Sequence, residues 1–289
     1  MSAQVTTAFV EQYKNNVQLL SQQRGSRLRH AVRQESVVGK NAFFEQIGSV
    51  TAVKGTDRHG DTPQIDTPHA RRRVTLADFR WADLIDDDDK VKMLIDPTSA
   101  YAQTAAMAMG RAMDSELIAA AIGSADTGVA GGTAVPLPAT QKIAVGTGTG
   151  AVLTIDKLIQ AKEILWKGDV DEELPLFFAC TGKQLGDLLR TTEVTSADYN
   201  TVKALVQGSV DTFMGFNFIR TELVKKTTTT RNCFAWAQDG LLLGVGRDIV
   251  GRITERDDKN YSTQVFYAMN IGATRMEEKK VVQVDCSEA

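Results

Sequence analysis

Residues 96–123, DPTSAYAQTAAMAMGRAMDSELIAAAIG, predict one long helix with a signal at each end. Asp96 and Pro97 are suited to a helix cap and a first turn, and Gly123 directly follows the last apolar residue. The interior consists largely of Ala and Met, which are strong helix formers. At about 1.5 Å per residue, a helix of this length spans roughly 40 Å.

The faces of this helix are predicted from its periodicity. Arg111, Asp114 and Ser115 are expected to keep one face in water. Gly110 lies in the middle, where glycine costs about 1 kcal/mol relative to Ala, and this predicts the close approach of another backbone segment. Taken alone, the stretch also fits the core helix of an ordinary domain. The expected apolar stripe consists of Ala102, Ala105, Ala106, Met109, Met113, Leu117 and Ala120.

The composition is that of a soluble globular protein, with 43% hydrophobic and 24% charged residues in a chain of 289. No apolar run approaches the roughly 20 residues of a membrane span, and the N-terminus lacks the order of a signal peptide. The three cysteines, Cys180, Cys233 and Cys286, are widely spaced and indicate reduced thiols of a cytoplasmic product.

The charge is unevenly distributed along the chain. Residues 1–80 contain 12 Lys or Arg against 7 Asp or Glu, whereas the remainder contains 21 against 29. A basic N-terminal portion and an acidic body favour packing against nucleic acid or against acidic faces of sister chains.

Residues 1–41 are predicted to form an N-terminal arm. A first helix is expected over residues 3–24, and Gly25 ends it within a basic run that lacks a sustained apolar face. The basic side chains of this run are Arg24, Arg27, Arg29 and Arg33.

Residues 42–81 predict a long hairpin. Strands are expected at residues 42–47 and 50–53 and again at residues 71–81, and the polar, turn-rich segment 54–68 joins them. The tip contains little apolar material that would fold it back onto a core. Because a two-stranded hairpin is marginal alone, this one is expected to need a neighbouring surface.

The remainder predicts a mixed α/β body and a tail of strands. Residues 124–150 are rich in Gly and Ala and mark a crossing between domains, and residues 191–201 form a polar loop. The last two strands are expected to pair through the turn at residues 277–279. Helices are predicted at residues 154–168 and 182–189, and strands at 176–180, 213–221, 232–237, 248–255, 264–276 and 280–285.

The sequence offers no catalytic, metal or cofactor site. Residues 146–150, GTGTG, lack both the G-x-G-x-x-G spacing and the lysine of phosphate-binding loops. The three histidines, His30, His59 and His69, all lie in the arm and hairpin, away from any cysteine or serine nucleophile. A cytoplasmic α/β enzyme with a nucleotide at residues 146–150 remains the alternative of a different class.

Two charged runs are candidates for contacts between subunits. Arg71, Arg72 and Arg73 are suited either to phosphate or to acidic faces of neighbouring chains. Such a face is offered by the acidic turn, in which Asp86, Asp87, Asp88 and Asp89 are consecutive. Lys54 and Arg58, in the predicted hairpin tip, are further candidates.

The order of parts, and two stretches in particular, resemble the major capsid proteins of tailed bacteriophages with the Hong Kong 97-type fold. The stretches are RHGDTPQIDTPHARRRVTLADFRWADLIDDDDKVKMLIDPTSAYAQTAAMAMGRAMD and AMNIGATRMEEKKVVQV. The resemblance implies an α+β fold with an N-terminal arm (1–41) and an extended loop (42–81). It also implies a peripheral domain (82–125 and 246–289) with the spine helix 96–123, and an axial domain (126–245).

The resemblance also implies a function and partners. Pentamers and hexamers of the chain would form an icosahedral shell around double-stranded DNA, assembled in the bacterial cytoplasm with a scaffolding protein, a portal and possible decoration proteins. Arg24, Arg27, Arg29 and Arg33 would face the DNA. No catalytic residue, cofactor, metal or membrane contact is expected. An encapsulin-like compartment shell, which encloses protein cargo, is the alternative within the same fold.

Overall fold

A computed structural model describes residues 21–54, 62, 64–86, 98–190 and 212–288. Within these ranges the chain forms three α-helices: α1 (Thr98–Ile122), α2 (Ile155–Lys167) and α3 (Gly182–Leu189). The long helix is therefore confirmed, while Asp96 and Pro97 lie outside the described residues. The sequence predictions for α2 and α3 are likewise confirmed.

The strands of the described ranges form three sheets. The strands are β1 (Arg33–Ser36), β2 (Asn41–Ile47), β3 (His69–Thr75), β4 (Ala77–Ile85), β5 (Ala125–Thr127), β6 (Thr133–Val135), β7 (Lys142–Ile143), β8 (Leu176–Cys180), β9 (Thr212–Phe213), β10 (Phe216–Arg220), β11 (Lys226–Thr227), β12 (Thr230–Ala237), β13 (Leu241–Arg256), β14 (Ser262–Arg275) and β15 (Val281–Ser287). The spine sheet has the strand order β1-β13-β14-β4, and the hairpin sheet has the order β2-β3-β5-β6. The large sheet has the order β7-β15-β12-β8-β10-β9, with β11 also paired to β12.

The long helix α1 packs on the spine sheet, mainly on β14. Met109, Met113 and Leu117 are buried in one core cluster with Leu243 and Met269 of the sheet. The predicted stripe thus faces the core. The prediction that Asp114 lies in water is wrong, since its side chain is fully buried.

The large sheet is covered on both faces. Trp236 and Phe177 point to the core beneath α1, where their rings stack with centroids 5.7 Å apart. Phe178 and Val282 point to a second core formed with α2 and α3. Both helices begin at a capping threonine: Thr154 accepts a hydrogen bond from the Lys157 N–H at 3.4 Å, and the Thr181 N–H donates to the Gln184 side chain at 3.1 Å.

The predicted strand at residues 71–81 is in fact two strands in different sheets. β3 pairs with β2 in the hairpin sheet, whereas β4 pairs with β14 in the spine sheet. The chain passes between the sheets at Leu76, where a Cβ on Gly272 would overlap the Thr75 carbonyl. The crossing therefore depends on a glycine in the neighbouring strand, which lies far away in the sequence.

The prediction that the last two strands pair with each other is also wrong. β14 belongs to the spine sheet, and β15 pairs with β12 in the large sheet. The strands β12 and β13 run from one sheet into the other through a 3₁₀ turn, and β14 and β15 run back beside them. Asp239 lies in the turn between β12 and β13, and Lys280 lies in the turn between β14 and β15. The Lys280 ammonium group forms an ion pair of 2.6 Å with Asp239 and so links these two turns.

Local predictions differ at three other places. Residues 50–53 do not form a strand, and residues 21–24 are not helical. The predicted strand 213–221 is interrupted at Met214 and Gly215, whose positive φ angles of 53° and 82° turn β9 back onto β10. The rest of the predicted first helix and the predicted loop 191–201 lie outside the described residues.

Candidate assembly interface

The hairpin carries five apolar side chains that the described chain leaves more than 40% exposed. Ile47 is 70% exposed, and Val50 and Val53 beyond it are at least half exposed. Phe43 on β2 and Ile65 on the returning segment are more than 40% exposed. We call these five residues the hairpin apolar set. Because a folded chain normally buries such side chains, their concentration on one hairpin indicates a surface for another molecule.

The three consecutive arginines of β3 have different environments. Arg71 lies on the exposed face, 2.6 Å from Glu45 and with its guanidinium 5.6 Å from the ring centre of Phe43. Arg73 pairs with Asp126 of β5 at 2.5 Å. Arg72 points to the interior, since side chains alternate along a strand. Arg71 is therefore the member of the triplet that is best placed to reach a neighbouring chain.

The buried guanidinium of Arg72 belongs to an ion cluster at the base of the hairpin. It donates to the Met276 carbonyl at 3.0 Å and to both Glu278 oxygens at 2.5 and 2.6 Å. The carboxylate of Glu278 also lies 3.7 Å from Arg275. This cluster fixes the hairpin to the body of the same chain.

Arg275 is fully buried and binds the C-terminal end of α1. Its guanidinium donates to the carbonyls of Ala121 and Gly123 at 3.1 and 2.7 Å, and to that of Val135 at 2.9 Å. The Ala121 and Gly123 carbonyls lie at the negative end of the helix dipole. Burial lowers the pKa of Arg275, although Glu278 opposes this effect. The sequence analysis missed this residue, for which the signal is an arginine within an otherwise apolar strand.

The remaining candidates for contacts between subunits are Lys54 and the acidic turn. Lys54 is exposed in the irregular part of the hairpin. Asp86 is exposed and accepts a hydrogen bond from the Ser262 hydroxyl at 2.5 Å. Arg58, Asp87, Asp88 and Asp89 lie outside the described residues. A contact of any of these residues with a neighbour stays a prediction.

The four arginines of the arm are largely engaged within the chain. Arg27 donates to the Arg220 carbonyl, and Arg33 pairs with Glu35 at 2.7 Å. Arg29 binds both oxygens of Asp248, at 2.7 and 3.0 Å, and this hydrogen bonding lowers the pKa of that carboxyl group. Arg24 is exposed and has no ion pair among the described residues, so it is the arm arginine most available to an outside phosphate.

The arm crosses α1 at a built anchor. The buried carboxylate of Asp114 accepts from the backbone N–H groups of Arg27 and Leu28, at 3.0 and 3.1 Å, and from Ser26 and Gln23, each at 2.5 Å. A Cβ on Gly110 would lie 2.6 Å from the Cα of Gly25. The predicted close approach at Gly110 is thereby confirmed.

The glycine-rich loop at residues 146–150 is tied down by Lys157. The buried ammonium group of Lys157 donates to the carbonyls of Val145, Ala151 and Asp285 at 2.8, 3.1 and 2.8 Å. Burial lowers the pKa of this lysine. The Lys157 ammonium group thus holds both ends of the loop, and this arrangement favours the structural interpretation of the loop over a phosphate-binding one.

The described His, Cys, Asp and Glu side chains include no group of three or more that could hold a metal ion. No helix in the part of the chain that the structure describes is both long enough and apolar enough to cross a membrane.

The fold matches solved capsid structures over nearly its whole length. The capsid of cyanophage P-SCSP1u matches with a TM-score of 0.78 and 16% identity, covering 99% of this chain and 95% of that one. The capsid of cyanophage Pam1 matches at 0.72 and 12% identity, covering 98% of both chains. Mycobacterium phage Che8 matches at 0.71 and 14% identity, covering 96% and 97%. The α+β architecture is therefore of the Hong Kong 97 type.

A search of the curated proteins finds no match to this chain. The model of the family described as "Phage capsid protein" matches residues 5–288. Since this match spans almost the entire sequence, the chain belongs to the phage capsid protein family.

Proposed function

We propose that the chain is the major capsid protein of a tailed phage and forms the pentamers and hexamers of an icosahedral shell around double-stranded DNA. The observation that carries the proposal is the hairpin apolar set, which is exposed in the single chain and needs a partner surface. The role is structural, with no reaction to catalyse. The ion clusters at Arg72 and Asp114 hold the hairpin and arm in place, so each subunit presents the same surface to its neighbours.

The domain organisation expected from the sequence is proposed with two changed boundaries, which the sheet topology supports. Residues 1–41 are the arm and residues 42–81 the extended loop, although β4 begins at Ala77 within the spine sheet. α1 and the spine sheet form the peripheral domain. The axial domain contains the large sheet with α2 and α3, and it takes β15 (Val281–Ser287) from the segment that the sequence assigned to the peripheral domain.

The partners proposed are further copies of the chain, a scaffolding protein, a portal and a decoration protein, with assembly in the bacterial cytoplasm. Non-specific contact with DNA is assigned to Arg24 first. Arg27, Arg29 and Arg33 must exchange their partners within the chain before they can bind phosphate. Lys54, Arg71 and Asp86 are the described charged residues proposed to contact neighbouring subunits.

The test is particle formation by the purified chain, followed by mass photometry and negative-stain electron microscopy with and without a candidate scaffolding protein. Closed particles, or isolated pentamers and hexamers, are expected. Persistent monomers under crowding and with the scaffolding protein would overturn the proposal.

A matched pair of variants tests the hairpin itself. Val50→Asp places a charge within the apolar set and should abolish closed shells, whereas Thr51→Asp adds the same charge at an adjacent exposed polar position and should assemble. Both residues are exposed, so neither variant should change the stability of the free subunit. Normal shells from Val50→Asp would remove the hairpin from the interface.

A further inference from the structure

The far part of β13 forms an edge of the spine sheet. β1 pairs with β13 only over residues 242–245, and the arm reaches β13 once more where Arg29 binds Asp248. Residues 250–256, which we call the β13 edge, pair with β14 on one side in unbroken register. No described strand lies on their other side. Backbone groups on that side of the β13 edge therefore have no strand partner within the described chain, and such an edge is a template for pairing with another chain.

The β13 edge lacks most of the features that protect an exposed edge strand from pairing. It contains no proline, and the irregular steps of β13 all lie before Val250. Ile253, at its centre, is 53% exposed. This side chain lies directly opposite Val265 of β14, which is fully buried. An apolar row that crosses the sheet thus ends in an uncovered isoleucine.

The β13 edge is self-complementary in one antiparallel register. A two-fold pair keeps α1 on the same face of both sheets, so its register can change only in steps of two residues. With Ile253 opposite itself, no two charges are opposite each other. A step of two residues in either direction puts Arg252 opposite itself or opposite Arg256, and like charges at opposite positions are destabilising. The opposite pairs in the favoured register are Ile253–Ile253, Arg252–Thr254, Gly251–Glu255 and Val250–Arg256.

We propose that the β13 edge binds the β13 edge of a second copy as an antiparallel strand, with Ile253 on the two-fold axis. This is strand addition, in which main-chain hydrogen bonds supply affinity and side chains supply specificity. The strands β4, β14 and β13 of both copies would form one six-stranded sheet. The row Val265–Ile253 would continue into the same two residues of the second copy, which covers the exposed isoleucine.

The neighbouring elements leave room for the added strand. In the favoured register, the strand of the second copy ends with its Arg256 opposite Val250. β1 ends its pairing at Val245, five residues before that point, so it does not occupy the position of the added strand. Seven residues span roughly 24 Å, which is a small contact that should be weak between free subunits. The contact is separate from the hairpin apolar set, and it does not rest on shell formation because it needs only two copies.

The test is disulfide cross-linking of Ile253→Cys in the concentrated full chain, with diamide as the acceptor of two electrons and two protons. Opposite residues of an antiparallel pair have Cα atoms about 4.5–5.5 Å apart, which a disulfide can bridge. Glu255→Cys is the matched control, exposed on the same strand and the same face. Its two copies would lie more than about 13 Å apart in the favoured register. The native cysteines are fully buried and should not compete.

We expect covalent dimers of Ile253→Cys to form at least about tenfold faster than those of Glu255→Cys, at a rate that rises with protein concentration. Non-reducing electrophoresis and intact mass would count the dimers. Equal rates in the two variants, or no dimer in either, would overturn the proposal. Faster cross-linking of Glu255→Cys would overturn it as well, because that residue lies far from the axis.

Hydrogen exchange provides a second measurement on the chain without added cysteines. Exchange of the backbone amides of the β13 edge should slow as protein concentration rises. Ile253→Lys places two ammonium groups at the axis and should remove this dependence. Ile159→Lys, the same change at a partly exposed position of α2, should retain it. Exchange that is independent of concentration in the native chain would refute the pairing.

Discussion

The buried carboxylate of Asp114 should be the main determinant of how firmly the arm is held, and Asp114→Asn tests this. The substitution keeps the size of the side chain but replaces one acceptor oxygen with an amide that can only donate. The carboxylate serves four donors, two of them the backbone N–H groups of Arg27 and Leu28. With one oxygen lost, two of the four hydrogen bonds have no acceptor.

The expected loss follows from these contacts. Hydrogen bonds to a charged group contribute about 1.5–3 kcal/mol each, and a buried donor left unpaired costs about 1–3 kcal/mol. The Gln23 and Ser26 side chains are half-buried and can turn towards water, which reduces the loss. We therefore expect the free energy of unfolding to fall by about 3 kcal/mol, a large part of the roughly 5–15 kcal/mol typical of a folded protein.

The assay is urea unfolding of unassembled subunits, followed by tryptophan fluorescence. Trp236 is fully buried and its indole N–H donates to the Ala31 carbonyl at 2.8 Å, so its emission reports on the junction between arm and body. Glu116→Gln is the matched control on the same helix. Because burial raises the pKa of Glu116, removing its charge should cost little. If Asp114→Asn stayed within about 0.5 kcal/mol of the control, a typical effect for a surface change, the anchor would be refuted.

Three further perturbations test other contacts of the chain, and each is measured by urea unfolding. Gly110→Ala should lower the free energy of unfolding by more than about 2 kcal/mol, because the new Cβ meets the arm backbone. The control Gly186→Ala, with open space at its Cβ, should raise it by up to about 1 kcal/mol, and equal effects would contradict the crossing of the arm over α1. Glu278→Gln should lower the free energy of unfolding by about 2–4 kcal/mol, because it leaves the charges of Arg72 and Arg275 uncompensated. The control Glu45→Gln, at the exposed Arg71 pair, should lower it by less than about 1 kcal/mol, and similar losses would argue against the buried cluster. Hydrogen bonds from Arg231 and Lys226 lower the pKa of Glu288 from 4.5 to about 2. The contribution of Glu288 to the free energy of unfolding is therefore complete above pH 4.5 and is lost as the pH falls towards 2. The loss should reach about 1–2 kcal/mol and be absent in Glu288→Gln, and an identical pH profile in that variant would refute it.

The sequence predicted those elements whose signals are local. The stripe through Met109, Met113 and Leu117 needs only one helix to be recognised, and α3 was predicted at its observed bounds, Gly182–Leu189. The strand β8 was predicted to the residue because its apolar run is bounded by polar turns. In each case the deciding interactions lie within a few residues along the chain.

The failures that changed the topology involve pairings between distant segments. Nothing near Leu76 marks the passage from one sheet to another, because the space for it is provided by Gly272. Similarly, Asp114 resembles any solvated helix residue until the arm, some 90 positions earlier, supplies its donors. Gly110 was informative because a glycine in a helix interior has an intrinsic cost, which predicts a compensating contact without naming it.

Within the candidate interface, the sequence grouped charges that the structure separates. The sequence suggested that Arg71, Arg72 and Arg73 act together, but strand alternation directs Arg72 inwards, to Glu278. Only a structure could separate them, since the partners Glu278 and Asp126 come from other elements of the chain.

This distribution of charge and apolar surface constrains how subunits associate. Most arginines of the triplet and arm are already paired within the chain, and exchanging one partner for another yields little net free energy. The hairpin apolar set is different, because each fully buried Val, Ile or Phe contributes about 1.5–3 kcal/mol that the single chain does not realise. Association should therefore be driven mainly by apolar burial on the hairpin, with charges such as Arg71 and Asp86 proposed to select the register. Shells held in this way should depend weakly on salt, since screening acts on exposed charges and not on buried apolar area.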